Sequence, residues 1–210
     1  MQLGIIGAGN VGRALAAGWL RSGHSVTFGV RDPNDAPGGP ASAAYASVAD
    51  AVRRAEVVLL ATPWQAVADA LGAAGKLAGK VLIDCTNPLR MGTDGLELEI
   101  GHTTSGGERV AALAQGASVF KTLNQTGFEN MEHAGSFAPP AVMYVAGDDD
   151  TRKPQVLSLV SDLGFQAVDA GPLRTARLLE PMAMLWIYMA LVRGEPRSRA
   201  FALTQRVADG

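Results

Sequence analysis

Gly4-Ile5-Ile6-Gly7-Ala8-Gly9-Asn10-Val11-Gly12, close to the start of the 210-residue chain, decides the fold. The apolar residues before Gly7 predict a short buried strand, and those after Gly12 recur at helical spacing. Gly7 permits a tight strand-to-helix turn, Gly9 lets a pyrophosphate approach the backbone, and Gly12 lets helix and strand pack closely. With a second strand following at Val26–Val30, this context predicts dinucleotide binding at the helix N-terminus. A glycine turn with a purely structural role is the alternative.

Further apolar runs alternate with helical patterns along the rest of the chain. The predicted strands are Val57–Ala61, Val81–Asp84, Ser118–Thr122, Val142–Ala146 and Gln166–Asp169. The predicted helices are Ser47–Ala55, Ala66–Ala74, Glu108–Gln115, Thr151–Leu163, Leu173–Arg193 and Ser198–Val207. Repeated strand–helix units predict an α/β fold with a doubly wound, mainly parallel Rossmann-type sheet and a small C-terminal helical part. We expect a dinucleotide-binding domain over residues 1–170 and a helical segment over residues 171–210.

Two connections carry expectations of their own. Met91–Gly107 is rich in Thr, Ser and Gly, which indicates a loop that could cover a ligand or form an ordinary surface connection. Gly147-Asp148-Asp149-Asp150 could suggest a metal site, but acidic residues also favour a helix N-terminus. We expect the second arrangement, with Asp150 or Thr151 as the cap.

The end of the second strand bears on which nicotinamide cofactor is bound. Val30 occupies the position where an acidic residue would hold the ribose 2′-hydroxyl of NAD, and Arg31 follows it. A guanidinium at this place favours the 2′-phosphate of NADP. In the competing interpretation Asp32 binds the ribose of NAD, and Arg31 is a solvated loop residue.

Residues rich in amides and hydroxyls follow three strands at the edge where ligands bind in open α/β sheets. They predict a nicotinamide site whose acceptor is roofed by the long C-terminal helix. The predicted cofactor-binding residues are Gly7, Ala8, Gly9, Asn10, Val11, Gly12, Arg31, Ala61, Thr62, Pro63, Asn87 and Asn124. The predicted substrate-binding residues are Gln125, Thr126, Met182 and Trp186. The sequence offers no acid–base constellation, so no catalytic residue is assigned, and no metal ligands are expected.

The composition of the chain indicates which classes of partner it binds. The net charge is −2 without a basic run, which argues against nucleic-acid binding. The single cysteine, Cys85, excludes an internal disulfide and fits a reducing, cytoplasmic location. Pro181–Val192 is too short to span a bilayer, and its apolar residues surround the whole helix. We therefore expect no membrane association and a homodimer built on this helix.

Several stretches together resemble the coenzyme F420-dependent NADP oxidoreductases. They are residues 4–12, 29–31, 84–89 (Asp-Cys-Thr-Asn-Pro-Leu), 120–126 (Phe-Lys-Thr-Leu-Asn-Gln-Thr), 146–150 and 169–180. The resemblance implies a Rossmann-type dimer that moves a hydride between NADP and the deazaflavin F420. Such transfer needs two stacked rings, so positioning carries most of the catalysis.

Two other functions stay open from the sequence. One is an NADPH-dependent reductase of another small acceptor, such as an imine, a flavin or a metal complex. The other is a nucleotide-binding sensor that performs no chemistry and reports the state of the NADP pool to a partner.

Overall fold

The computed structural model describes residues 1–35 and 38–206, which form a sheet covered by helices on both faces. The strands are β1 Gln2–Ile6, β2 Ser25–Val30, β3 Ala44–Ser47, β4 Val57–Leu60, β5 Val81–Asp84, β6 Leu89–Gly92, β7 Gly95–Leu98, β8 Ser118–Lys121, β9 Val142–Gly147 and β10 Gln166–Asp169. The helices are α1 Asn10–Arg21, α2 Val48–Arg54, α3 Val67–Ala74, α4 Gly106–Leu113, α5 Phe128–Glu132, α6 Lys153–Asp162 and α7 Ala176–Ile187.

The main sheet has the strand order β10-β9-β8-β5-β4-β1-β2-β3. From β3 to β8 every neighbouring pair is parallel. The chain runs outward from β1 to β3 and then returns to place β4 on the other side of β1, which is the switch point where such sheets bind dinucleotides. The doubly wound, mainly parallel Rossmann-type fold is therefore confirmed. Two strands at one edge depart from it: β9 runs antiparallel to β8, and β10 pairs with β9 in parallel, so both run opposite to the other six strands.

The core lies on both faces of the sheet because successive strand residues point to opposite sides. Ile5 joins Trp19 of α1 and Leu159 of α6 in one apolar cluster. Its neighbour Ile6 joins Leu71 of α3 in the other cluster. Strands buried on both faces read as continuous apolar runs, which is why β1, β4 and β5 could be predicted.

The predicted loop Met91–Gly107 is wrong over its first part. β6 and β7 pair as an antiparallel hairpin, with Gly92 opposite Gly95 across a two-residue turn. Gly95 has a φ of 114°, which a side chain rarely adopts. Two further elements, β3 and α5, were not predicted.

The C-terminal region also departs from the prediction. The helix expected over Ser198–Val207 is absent from residues 198–206, where Ala202 instead forms a β-bridge with Ala141, and residue 207 lies outside the described residues. Asp149, not Asp150 or Thr151, caps the turn before α6, because its Oδ1 accepts hydrogen bonds from two backbone N–H groups.

The long C-terminal helix is continuous but not regular. A 3₁₀ turn at Leu173–Thr175 leads into α7, and a π-helical turn at Tyr188–Val192 follows it. Pro181 lies inside α7. The segment Leu173–Val192 has 20 residues and contains an 18-residue window with a mean hydropathy of 1.2. By length and composition alone it could cross a membrane, contrary to the prediction that Pro181–Val192 is too short to do so. One of its faces nevertheless packs on the protein, with Glu180, Ala183 and Trp186 buried.

Candidate functional site

The glycine turn joins β1 to α1 at the switch point. Gly7 has a φ of 107°, and a Cβ atom there would lie 2.5 Å from the carbonyl oxygen of Ala61. Only glycine therefore lets the turn approach the end of β4 this closely. Gly9 is the N-cap of α1, and a Cβ atom on it would meet nothing within 4 Å. The first turn of α1 contains no acidic residue and its N-cap makes no side-chain hydrogen bond. The first N–H groups of a helix have no partner within it, so together with the space at Gly9 they suit a phosphate.

Arg31 lies directly after β2 and is exposed. No side chain that the structure describes within residues 1–34 and 38–206 forms an ion pair or hydrogen bond with it. The neighbouring Asp32 uses its Oδ1 to accept a hydrogen bond of 2.9 Å from the backbone N–H of Asn34. That bond closes a local turn and engages the Asp32 carboxylate. Arg31 is therefore a charged side chain at the end of β2 that has no partner among the described side chains.

Two asparagines meet across the ends of β5 and β8. The Nδ2 atom of Asn87 donates to the backbone carbonyl of Asn124 at 2.9 Å, and the Nδ2 atom of Asn124 donates to Oδ1 of Asn87 at 3.0 Å. The sequence predicted both residues at this edge, and the structure brings them together as a reciprocal pair. Each amide thereby fixes the orientation of the other at the place where a nicotinamide would lie.

Gln125, predicted to bind the substrate, lies behind this pair, and its side-chain amide is hydrogen-bonded within the protein. It is buried, and its Nε2 atom donates both to Asn124 Oδ1 at 3.1 Å and to the carbonyl of Tyr144 at 3.0 Å. Its Oε1 atom accepts from the N–H of Tyr144 at 3.0 Å. The side chain thus pairs with the backbone of β9, and its amide is occupied by that role. Its position follows from Leu123, a buried non-glycine residue with a φ of 57° that redirects the chain after β8.

Two buried hydroxyls at the strand ends have no partner among the described residues. They belong to Thr62, after β4, and to Thr122, after β8. Burying a hydroxyl without a hydrogen bond costs about 1–3 kcal/mol, so such atoms are rare unless a ligand or a water satisfies them. Of these two residues, the sequence analysis had assigned only Thr62 to the site. Pro63, which follows it, is exposed.

The C-terminal helix reaches the end of β8. The indole ring of Trp186 packs on Gly127, where a Cβ atom would lie 2.5 Å from Cη2. Its Nε1 atom donates to the carbonyl of Arg199 at 2.8 Å, and that oxygen also accepts from Asn130 Nδ2. Asn130 in turn holds the hydroxyl of Thr126 at 2.8 Å. Trp186 and Thr126 are therefore brought to the same end of the sheet. Met182, one turn earlier on α7, is half-buried.

A buried charged cluster beneath the strand ends was not predicted as a unit. Lys121 Nζ lies 2.9 Å from Asp84 Oδ2 and 3.0 Å from Glu180 Oε1, and all three side chains are buried. Burial alone would lower the pKa of Lys121, but the two carboxylates outweigh it and hold that pKa above its usual value. The residues were visible in the sequence, but their convergence from β5, β8 and α7 depends on the tertiary fold.

Cys85 follows β5 and is buried, and burial together with the neighbouring Asp84 raises the pKa of its thiol. Cys85 therefore stays protonated and packs as a core residue. Among the residues that the structure describes, no three His, Cys, Asp or Glu side chains are grouped to hold a metal.

Comparisons with known proteins identify the family of the chain. The profile of the family described as coenzyme F420-dependent NADP oxidoreductases matches residues 2–88. A solved structure described as an F420-dependent NADP reductase from Arthrobacter sp. FB24 is 33% identical, with a TM-score of 0.88, over 98% of this chain and 100% of that one. The chain belongs to this family. It is therefore an oxidoreductase by family, as the sequence resemblance predicted.

Other similar proteins are named for different reactions. Metalloreductase STEAP3 of Rattus norvegicus is 30% identical over 184 residues, which are 87% of this chain and 36% of the relative. A reductive aminase from Aspergillus terreus, solved with NADPH and ethyl levulinate, is 25% identical with a TM-score of 0.67, over 92% of this chain and 66% of that one. The chain thus spans little more than a third of the length of the curated metalloreductases it matches.

Proposed function

We propose that the protein transfers a hydride between NADP(H) and the deazaflavin coenzyme F420. The observation that carries this proposal is the reciprocal pair of Asn87 and Asn124, held beside a glycine turn with an open phosphate site. The pair can orient the carboxamide edge of a nicotinamide, while the absence of an acid or base among the described residues here suits direct transfer between stacked rings.

The choice of NADP over NAD rests on Arg31. Its guanidinium is exposed after β2 without a partner in the described chain, and the neighbouring Asp32 closes a local turn. Charge-assisted hydrogen bonds from such a group to a 2′-phosphate contribute about 1.5–3 kcal/mol. The reductive aminase, solved with NADPH, supports the same choice by analogy.

A second candidate function is the NADPH-dependent reduction of another small acceptor, namely an imine, a flavin or a metal complex. The similarity to metalloreductase STEAP3 and to the reductive aminase favours it. In both functions the nicotinamide site is the same, and only the molecule that meets its open face differs. The roof over that face would be formed by α7, with Trp186 against Gly127.

The experiment that tests this function is a comparison of acceptors at fixed NADPH. The full chain is incubated with NADPH and, separately, F420, FMN, an iron(III) chelate and a cyclic imine, and both NADPH oxidation and acceptor absorbance are followed. We expect turnover with F420. Turnover with another acceptor alone would replace F420 by the second function, and NADPH binding without turnover of any of them would favour a sensor.

We further propose that the protein is a homodimer joined through α7 and the π turn. Large apolar side chains on this segment remain exposed in the described chain: Leu178, Leu185, Tyr188, Met189, Leu191 and Val192. A contiguous apolar surface of this kind is typical of an interface. A second copy related by a two-fold axis would cover it with an identical helix.

A further inference from the structure

The buried cluster of Asp84, Lys121 and Glu180 joins four parts of the fold. Besides the two carboxylates, Lys121 Nζ donates to the carbonyl of Thr86 at 2.6 Å, so all three of its protons have acceptors. Glu180 accepts the N–H groups of Gly106 and Gly107 at 2.9 Å each, at the start of α4. The ends of β5 and β8, the start of α4 and the middle of α7 therefore meet at a single cation.

The glycines at the start of α4 pack closely against the cluster and its surroundings. A Cβ atom on Gly106 would lie 3.0 Å from Glu180 Oε1 and 3.2 Å from the ring of Pro88. One on Gly107 would lie 3.2 Å from Cβ of Ala176. Because interiors packed this closely transmit displacements, a change at Glu180 would reach the loop that follows β5.

That loop carries one half of the asparagine pair, and Lys121 is linked to both halves. The carbonyl that accepts its 2.6 Å hydrogen bond belongs to Thr86, the residue immediately before Asn87. Asn124 follows Lys121 by three residues, through the constrained backbone of Leu123. The glycine turn and Arg31, by contrast, form no contact with the cluster among the interactions of the described residues.

We propose that Asp84, Lys121 and Glu180 are positioning residues that place the nicotinamide half of the cofactor, and not its adenosine half, and that couple this placement to the roof helix α7. The inference rests on the proposed NADP(H) site and deepens it. In a sheet of this topology the adenosine phosphate lies toward β2 and the nicotinamide lies across the switch point, toward β4 and β5. The two halves are therefore held by different parts of the chain, and only one part touches the cluster.

The test compares two ligands on the same variant. Dissociation constants of NADPH and of adenosine 2′,5′-bisphosphate, which lacks the nicotinamide half, are measured for the wild-type chain and for Glu180→Gln. We expect the bisphosphate to bind both proteins equally and NADPH to bind the variant about tenfold more weakly, the scale of a lost hydrogen bond to a charged group. A variant that was only less stable would lose affinity for both ligands by the same factor.

Arg177→Met is the matched control. Arg177 also joins α7 to α4, through hydrogen bonds of 2.8 and 2.7 Å to Glu108, but it lies at the half-exposed surface outside the cluster. The Arg177→Met variant should keep the wild-type ratio of the dissociation constants of NADPH and adenosine 2′,5′-bisphosphate. The inference is overturned if Glu180→Gln also keeps that ratio, or if Arg177→Met changes it equally.

A second variant guards against misfolding of the first. Asp84→Asn combined with Lys121→Met and Glu180→Gln removes all three charges together, so that no single charge is buried without a partner. In this triple variant the ratio of the NADPH and bisphosphate dissociation constants should change in the same direction as in Glu180→Gln. An unchanged ratio would overturn the inference. If the wild-type chain bound neither ligand, the proposed function would fail; if it bound both and the variants kept the ratio, only the positioning role would fail.

Discussion

Gly12 lies against the carbonyl oxygen of Gly7, so closely that a Cβ atom on Gly12 would overlap that oxygen. Gly9, between them, faces open space and has an ordinary φ of −75°. Two glycines of one motif thus serve different purposes. Gly12 allows α1 to pack on the turn, and Gly9 leaves a volume that a ligand would fill.

Substitutions at Gly9 and Gly12 should therefore affect NADPH binding and protein stability differently. Gly9→Val should abolish NADPH binding and lower the free energy of unfolding by less than about 2 kcal/mol, the scale of a poor N-cap. Gly12→Val should destabilise the protein by more than Gly9→Val, because the side chain has no space. Calorimetric titration and thermal unfolding of both variants measure the difference. Normal NADPH binding by Gly9→Val would mean that the turn is only structural.

Arg31→Ala should weaken NADP binding selectively. The expected loss is about 1.5–3 kcal/mol for NADP and close to zero for NAD, since only NADP carries the 2′-phosphate. Arg53→Ala is the control, because Arg53 is an exposed arginine of α2 that pairs with Asp50. Equal losses for both cofactors in Arg31→Ala would contradict the assignment.

Asn124→Ala should slow turnover by up to ~10²-fold, because the nicotinamide would be misplaced. The variant removes the hydrogen bond to Asn87 Oδ1 but keeps the one from Asn87 Nδ2 to the backbone carbonyl of residue 124. The pH profile of kcat should contain no step assignable to a histidine, since none is proposed to act as an acid or base. Steady-state kinetics between pH 5 and 9 would reveal such a step, and its presence would point to a proton donor outside the proposed mechanism.

Charging the exposed face of the C-terminal helix should separate the subunits. Leu185 and Leu191 are 52% and 61% exposed, and a Glu at either position would place unpaired charges in an isologous interface. Leu113→Glu, at a similarly exposed leucine on α4, is the control. Sedimentation at micromolar concentration should show a dimer for the wild type and the control. A wild-type monomer would remove the proposed interface.

Cys85 should resist alkylation in the native protein. Burial and the neighbouring Asp84 raise the pKa of its thiol, whose Sγ–H donates to the carbonyl of Leu60. Because the folded pKa lies above that of the unfolded chain, the stability this group contributes is present below about pH 8.5 and is lost as pH rises further. Iodoacetamide at pH 8 should label the protein only in denaturant, and rapid native labelling would contradict this.

The elements that could be predicted from the sequence are those whose local residue pattern alone determines their structure. The glycine spacing between β1 and α1 and the apolar runs of β4 and β5 required no knowledge of the rest of the fold. The strand β3 could not be predicted because Ala44–Ser47 contains no apolar run. The hairpin of β6 and β7 could not be predicted because its turn, Thr93-Asp94 between Gly92 and Gly95, lies in a stretch whose Thr, Ser and Gly content also indicates a loop.

Contacts between distant residues could not be predicted in this way. Gln125 looked like a ligand-binding residue because it follows a strand with other amides, yet its partner is the backbone of Tyr144. That role arises only because β9 runs antiparallel and extends past the end of β8. Likewise, the sequence placed Asn87 and Asn124 at one edge but gave no sign that each would hold the other.

The short pairing between β8 and β9 leaves the first residues of β9 without a neighbouring strand on that side. Gln125 covers Tyr144 with its side chain, and the C-terminal segment covers the rest, with the carbonyl of Phe201 accepting from the N–H of Val142. An uncovered edge of this kind is a template for pairing with other chains. The last residues of the described chain therefore also guard against aggregation, and any fusion or cut near Phe201 risks opening a sheet edge as well as loosening the contacts of Trp186.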